Sequence, residues 1–395
     1  MSQLTSKLAL ATLGLLASNA QSQSYDHEWQ VDTSYLSYVE SDDRVSVQET
    51  IAQLVRTQEE SELVVTLTHD TLSGASPTGQ ILGSNPGSTT TLTGVSNFDE
   101  TRNQAGFSLT KQTSRNISLN FGGVVSNESD YESAGGSFSI TRERDDKLGS
   151  ITLGFSTAFD LIFQSGTETT PAPLGDLTVF NPFNKGERST VDLLAGGSRV
   201  LNKNTIAQVN FSVSISDGYH SDPYKIISAA DDNDVIFANF HDSRPDSRFR
   251  ARLFGKVVHQ LEDTPHSLHM SYRLYSDDWG INSHTADFRY HRKLSERQFL
   301  EPHVRLYRQS AADFYFRQLD VDEALNPILP DDGIASSDHR LDGITSATIG
   351  MKYGIALTRN ADLRVRAEYL AQRFDTDDFD ESNAVIFQTS FKYKF

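Results

Sequence analysis

Ile206-Ala207-Gln208-Val209-Asn210-Phe211-Ser212-Val213-Ser214-Ile215 sets Ala207, Val209, Phe211, Val213 and Ile215 against Gln208, Asn210, Ser212 and Ser214. Successive side chains of a strand point to opposite faces, so this stretch forms a strand with one apolar and one polar side. The pattern recurs outward from it. Ile151, Leu153, Phe155, Thr157 and Phe159 alternate with Thr152, Gly154, Ser156 and Ala158, and Leu363, Val365, Ala367 and Tyr369 with Arg364, Arg366 and Glu368. Segments of about ten residues that alternate in this way between turn formers are the signature of a barrel with a lipid-facing and a lumen-facing side.

Loop lengths separate a barrel from a soluble sandwich. Connections are short at Gln58–Ser61, Thr113–Asn116, Arg142–Gly149, Leu201–Asn204, Leu261–Pro265, Leu294–Arg297 and Leu357–Ala361. Between them fall Ser41–Arg44, Leu72–Thr101, Ser126–Tyr131, Leu161–Glu187, Asp217–Arg244, Asp277–Asn282, Phe314–His339 and Phe374–Ser382, and every long connection lies in this second set. Outer-membrane barrels have short periplasmic turns and long extracellular loops. The expected fold is therefore all-β: a transmembrane antiparallel β-barrel of sixteen strands, both ends periplasmic, with long acidic extracellular loops. Val45–Arg56 and Val191–Leu201 alternate poorly, and Pro302 would remove a ladder bond from its strand; fourteen or eighteen strands are the alternatives.

The chain has 395 residues, 37% of them hydrophobic, and no cysteine. Outside the N-terminus no apolar run approaches the ~18 residues of a membrane-spanning helix. Lys7, the apolar Leu8–Ala17 and the small-residue site at Ser18-Asn19-Ala20 read as an export signal over residues 1–20, followed by one barrel domain over 21–395. Localisation in the bacterial outer membrane follows. Only residues 21–28 precede the first strand, which leaves no room for the N-terminal plug of an energy-coupled transporter. Without cysteines there are no thiolate metal sites or cysteine nucleophiles. With 35 basic and 53 acidic side chains the net charge is -18, which argues against nucleic acid as a partner. No cofactor is expected.

Near the end, Val385, Phe387, Phe391, Tyr393 and Phe395 share one strand face. The terminal Phe391, Tyr393 and Phe395 resemble the signal by which the barrel-assembly machinery recognises its clients. Two further phrases, Tyr38–Val47 and His69-Asp70-Thr71-Leu72-Ser73-Gly74-Ala75-Ser76-Pro77-Thr78-Gly79, resemble the opening of the family named domain of unknown function 3570 (DUF3570), although the family tends to have an aromatic residue where His69 stands. The resemblance implies an outer-membrane barrel over nearly the whole chain, with no established activity. Family members are often encoded near thioredoxin-like and flavin-transferase proteins, which implies an envelope redox partner. Taken by themselves, Ser73-Gly74 and Ser76-Pro77 are turn formers, with Asp70 and Ser73 placed to bond local backbone groups.

Lumen-facing side chains set selectivity. By parity the inward set of the C-terminal half holds Arg248, Arg250, Arg252 and Lys256, then Arg273, Asp287, Arg289 and His291, then Glu301, His303 and Arg305, and finally Lys352, Arg364, Arg366 and Glu368. The N-terminal half offers mostly Ser118, Asn120, Ser139, Thr141, Thr152, Ser156, Gln208, Asn210 and Ser212. One wall is expected to be basic and the other neutral. Such a lumen would either attract anions or be closed by its own ion pairs and by infolded acidic loops. Those loops carry Asp217, Asp222, Asp231, Asp232, Asp234 and Asp242; Asp320, Asp322, Glu323, Asp331, Asp332, Asp338 and Asp342; and Asp375, Asp377, Asp378, Asp380 and Glu381. They could hold divalent cations but match no full calcium-loop pattern.

The expected function is a porin-like channel or binding barrel for a small hydrophilic, anionic solute. The alternative is a non-conducting barrel that scaffolds a periplasmic or extracellular partner protein. An outer-membrane hydrolase ranks third, because its candidates, His69-Asp70 with Ser73, His241-Asp242 and Asp338-His339, are chain neighbours that a strand would point apart. No enzyme activity is expected.

Overall fold

The computed structural model describes residues 29–41, 44–83, 94–179, 182–376 and 379–395. The expected export signal, and Asp377 and Asp378, lie outside the described residues. The strands are β1 (Trp29–Glu40), β2 (Val45–Gln58), β3 (Ser61–Pro77), β4 (Val95–Ser114), β5 (Ile117–Asn127), β6 (Tyr131–Glu143), β7 (Gly149–Ile162), β8 (Gly186–Asn202), β9 (Thr205–Gly218), β10 (Ile226–Ala230), β11 (Ile236–His241), β12 (Ser247–Gln260), β13 (Ser267–Asp277), β14 (Asn282–Lys293), β15 (Gln298–Gln309), β16 (Ile344–Ala356), β17 (Ala361–Phe374) and β18 (Glu381–Lys394). Sixteen of them close into an antiparallel barrel in chain order, and β10 and β11 form a separate hairpin between β9 and β12. Closure leaves the sheet without an edge. At the seam β1 pairs with β18, and Trp29 and Phe395 exchange backbone hydrogen bonds of 3.2 and 2.9 Å.

Alternation becomes an apolar belt around the whole circumference. Leu67, Phe107, Val125, Leu153, Leu193, Phe211, Leu253, Leu306, Ile349 and Val385 are all exposed on the outer face. This is the lipid-facing surface of a transmembrane barrel, since in lipid every backbone polar group must be satisfied within a helix or a closed sheet.

The two poorly alternating stretches are full strands. β2 shows its outer face through Ser46, Gln48 and Thr50 and carries Val47, Ile51 and Val55 inward. β8 is smoothed by Ala195, Gly196 and Gly197. Pro302 does interrupt a ladder: pairing of β14 with β15 lapses between Arg289↔His303 and Arg292↔Leu300, while Pro302↔Met351 continues on the β16 side. The strand count is unaffected.

The expected loop between Leu72 and Thr101 is a correction. β3 runs on to Pro77 and β4 begins at Val95, paired throughout. Beyond the belt the outer face of β4 carries Asn97, Asp99 and Thr101, so a strand leaving the lipid loses the apolar half of its alternation. The family-like phrase from His69 to Pro77 is therefore strand and not turn. Gly74 is its one special position: φ is +136°, and a Cβ there would lie 1.9 Å from the Arg44 carbonyl oxygen. Ala75, next to it, donates its N–H to that carbonyl at 2.5 Å.

Candidate functional site

Register carries one face continuously around the ring. Ser212 stands opposite Arg252, Arg252 opposite Tyr275, Tyr275 opposite Ser283 and Ser283 opposite Gln309. All fifteen charged and histidine positions read from parity lie on this lumenal face, as do the neutral Ser118, Asn120, Ser139, Thr141, Thr152, Ser156, Gln208, Asn210 and Ser212.

Many of the charges neutralise one another. His303 bonds Glu368 through Nδ1 and Asp287 through Nε2, both at 2.8 Å. Two carboxylates on one ring hold it as a cross-strand tie and leave neither nitrogen free to act as a base. Lys352 and His291 share Glu301 at 2.5 and 3.2 Å. Arg289 reaches Asp287 at 3.3 Å, and Arg248 pairs with Asp277. Among the described residues, Arg252, Lys256, Arg273, Arg305 and Arg364 form no salt bridge. Arg364 shares a lumenal pocket with Arg289, Lys352, Arg366, Gln388 and Ser390.

The opposite wall is not neutral, which corrects the expectation. Towards the loop end it carries Glu40, Glu49, Asp70, Arg102, Glu128, Asp160, Arg188 and Asp192. Arg102 pairs with Asp70 and, at 3.8 Å, with Glu49. Arg188 grips Asp160 through Nε and Nη2 at 2.9 and 2.6 Å. Asp70 thus spends its charge on Arg102 across the ladder and not on local backbone groups. Parity continued above the apolar belt would have found these residues.

Three loops meet over the lumen, through residues 78–83 and 94 after β3, 219–246 after β9 and 310–343 after β15. In ring order these strands are the third, ninth and thirteenth of sixteen, so loops that touch one another must cross the mouth. Ile226 donates its N–H to Thr78 O at 2.9 Å, Leu319 to Ser228 O at 2.8 Å and Ser243 to Ala335 O at 3.0 Å. Ile227, Ala229, Phe240, Leu319 and Ala335 form a buried core between the second and third loops, with Ile81, Ala230 and Ile236 beside it. A second core, Trp279, Ile281, Ala312, Phe314 and Leu341, joins the β13–β14 turn. Trp279 lies 4.0 Å over the Arg248 guanidinium, and His220 bonds the lumenal Ser216 at 2.8 Å. The loops are a lid seated on the inner wall.

Acids of these loops hold the lid together. Asp338, with no exposed surface, accepts from Arg244 Nη2 at 2.8 Å and Arg340 Nε at 2.8 Å. Arg340 also reaches Asp222 at 2.5 Å, and Arg244 reaches Asp242 at 2.6 Å. Lys225 bonds Ser76 Oγ at 3.2 Å and the Pro77 carbonyl. Burial disfavours the charged Asp338, but Arg340, Lys225 and Arg244 outweigh it and hold its carboxyl well below the usual range. Asp217, Asp231, Asp232, Asp320, Glu323, Asp331, Asp332, Asp375, Asp380 and Glu381 form no salt bridge with described residues. Asp234 pairs with Arg317 at 2.9 Å, Asp322 bonds Asn326, and Asp342 accepts from Thr376 N–H at 2.8 Å.

None of the three histidine–aspartate neighbours forms a dyad. His69 faces outward to Asn103 at 2.9 Å while Asp70 faces the lumen, and Ser73 also points outward. His241 Nδ1 is buried without a hydrogen-bond partner, and Asp242 serves Arg244. His339 Nδ1 lies 3.7 Å from Asp338, too far for a hydrogen bond. Its ring packs against Phe374 and Phe379 instead, at 5.2 and 4.8 Å.

Burial pushes His339 down to about 3 although Asp338 pulls the other way. An imidazole held below its ordinary value of about 6.5 stabilises the closed lid fully above that pH and progressively less as pH falls from there towards about 3. Burial raises Asp242, which acts in the opposite sense, so the measurement is a difference. Protease sensitivity of the lid loops should rise between pH 6.5 and 4 more steeply in the wild type than in His339→Gln; equal slopes would count against it.

The profile of a family described as "Protein of unknown function (DUF3570)" matches residues 5–385. A comparison with curated protein sequences finds no match. Among solved structures the chain is similar to CdiB from Acinetobacter baumannii, at 8% identity over 92% of this chain and 60% of that one, with a TM-score of 0.50. It is similar also to a bacterial polysaccharide outer membrane secretin (10% identity, 93% and 99% covered, TM-score 0.48) and to OccD3 from Pseudomonas aeruginosa (11%, 94% and 92%, TM-score 0.43). At such identities the likeness to CdiB is one of fold alone.

Proposed function

We propose that this chain, which belongs to the DUF3570 family of proteins of unknown function, is an outer-membrane barrel that binds or passes a small anionic solute beneath a closed lid. The observation that carries this reading is the set of lumenal cations, Arg252, Lys256, Arg273, Arg305 and Arg364, that form no salt bridge with described residues. Cations that form no salt bridge leave a positive field in a narrow space bounded by low-dielectric walls, where it concentrates counter-ions. The pocket of Arg289, Lys352, Arg364 and Arg366, with Gln388 and Ser390, also holds Glu301, His303 and Glu368; its four cations outnumber its two carboxylates and, with the neutral donors, can meet a carboxylate, phosphate or sulfate.

Planar-bilayer recording in a salt gradient tests this. The barrel with its lid loosened by Asp338→Ala should be anion-selective, and adding Arg364→Glu with Arg366→Glu should lower the anion-to-cation permeability ratio by roughly tenfold. Cation preference in the parent would refute it. The lid favours a second reading, a non-conducting barrel that holds an envelope partner. Absence of conductance steps in folded protein, latched and unlatched, would select that one.

A further inference from the structure

Above the apolar belt, on the wall opposite the basic patch, three carboxylates converge. Glu100 lies near the upper end of β4 and faces inward opposite Leu72; Glu128 and Asp130 belong to the turn between β5 and β6. One oxygen from each lies within 4.8 Å of the others. Two oxygens bound to one calcium ion at 2.3–2.6 Å can be no farther apart than about 4.6–5.2 Å, so one ion can reach all three.

Proximity alone would not make a site, because acids often cluster without an ion. The second observation is Glu128. It is 6% exposed, and its Oε1 is buried with no hydrogen-bond partner. An orphaned carboxylate oxygen inside a protein is costly unless a cation or donor meets it. Arg102 lies close enough to act on Glu128, but it is drawn to Asp70 and Glu49. Burial first, and the like charge of Asp130 after it, overcome Arg102 and push the Glu128 carboxyl up to about 7.

We propose that Glu100, Glu128 and Asp130 form a divalent-cation site, of calcium type, that ties the β5–β6 turn to the lid. The three carboxylates supply hard oxygen ligands, and the remaining positions are open to water. Glu100 and Glu128 face the interior, so the ion is distinct from any that bridges lipid phosphates to the exposed loop acids. The link to the lid runs through Tyr224, which lies close enough to Asp130 to act on its carboxyl and whose hydroxyl accepts the Ser165 N–H at 2.8 Å. The Phe163 N–H adds a bond of 3.0 Å to the Asp130 carbonyl. Three outer connections therefore meet at this ion.

The test is calorimetric titration of calcium chloride into the full chain, folded in detergent micelles and stripped with a chelator. One ion per chain should bind with a Kd of about 10⁻⁴ to 10⁻³ M. Glu128→Gln should weaken binding about tenfold or more, and Asp331→Asn with Asp332→Asn should leave it unchanged. Folding of each variant is checked by heat-modifiable gel mobility; if Glu128→Gln fails it, Glu100→Gln carries the same expectation. Terbium excited through tyrosine gives an independent readout, because Tyr224→Leu should dim its luminescence. A wild type that takes up no calcium at millimolar concentration would overturn the site. So would uptake that the exposed-loop variant reduces as much as Glu128→Gln does, since that is diffuse binding to acids.

Discussion

Asp338→Ala is expected to unlatch the lid while leaving the barrel closed. Asp338 is the acceptor common to Arg244 and Arg340, and through them it joins residues 219–246 to residues 310–343. Removing one member of a buried ionic cluster costs about 3–5 kcal/mol, chiefly because the remaining charges are left without compensation. Arg340 keeps Asp222 and Arg244 keeps Asp242, so the lower end of that range applies. About 3 kcal/mol corresponds to a rise of roughly a hundredfold in the open population. The barrel ladders involve none of these residues, and heat-modifiable mobility should persist. Trypsin cleavage at Lys225, Arg317 and Arg340 should accelerate accordingly, and the same variant supplies the unlatched barrel for conductance recording. Unchanged protection from trypsin would show that the two hydrophobic cores hold the lid without the latch.

The barrel was legible because lipid imposes a rule on every second residue. Ile206–Ile215 could be read in isolation, since its outer face must be apolar whatever its neighbours do. Where that rule stops, legibility stops. Above the belt, Asn97, Asp99 and Thr101 look like loop, yet they are strand paired to β3. The lid was not legible because its bonds join residues far apart in the chain: Lys225 to Pro77, Arg340 to Asp222, Leu319 to Ser228. Nothing local distinguishes Asp338, buried and shared by two arginines, from Asp331, which is exposed. The basic wall could be listed from parity, but which cations lack partners depends on register. Arg305 stands beside Asp287 across the β14–β15 ladder, yet His303 and Arg289 take that carboxylate.

Register also decides the second large effect, on the barrel itself. Arg188 of β8 stands opposite Asp160 of β7 and is bound to it through two nitrogens, with the Tyr131 hydroxyl 3.4 Å from Nη2. The arginine side chain has no exposed surface and that of Asp160 has 4%. A pair so buried contributes little net stability over a well-packed apolar substitute, but half of it is costly. Arg188→Met should therefore destabilise the folded barrel by about 3–5 kcal/mol, the charge of Asp160 being left in a site without water. Adding Asp160→Leu should return much of that loss, because the orphaned carboxylate is gone and the apolar pair can pack. Urea unfolding in lipid vesicles, followed by tryptophan fluorescence, measures both variants and closes a double-mutant cycle. If the double variant is no more stable than Arg188→Met, the loss comes from packing of the long arginine stem and not from the stranded charge. The recovery also has a direction in pH. Arg188→Met alone should regain stability as acid protonates Asp160, whereas the double variant should show no such gain.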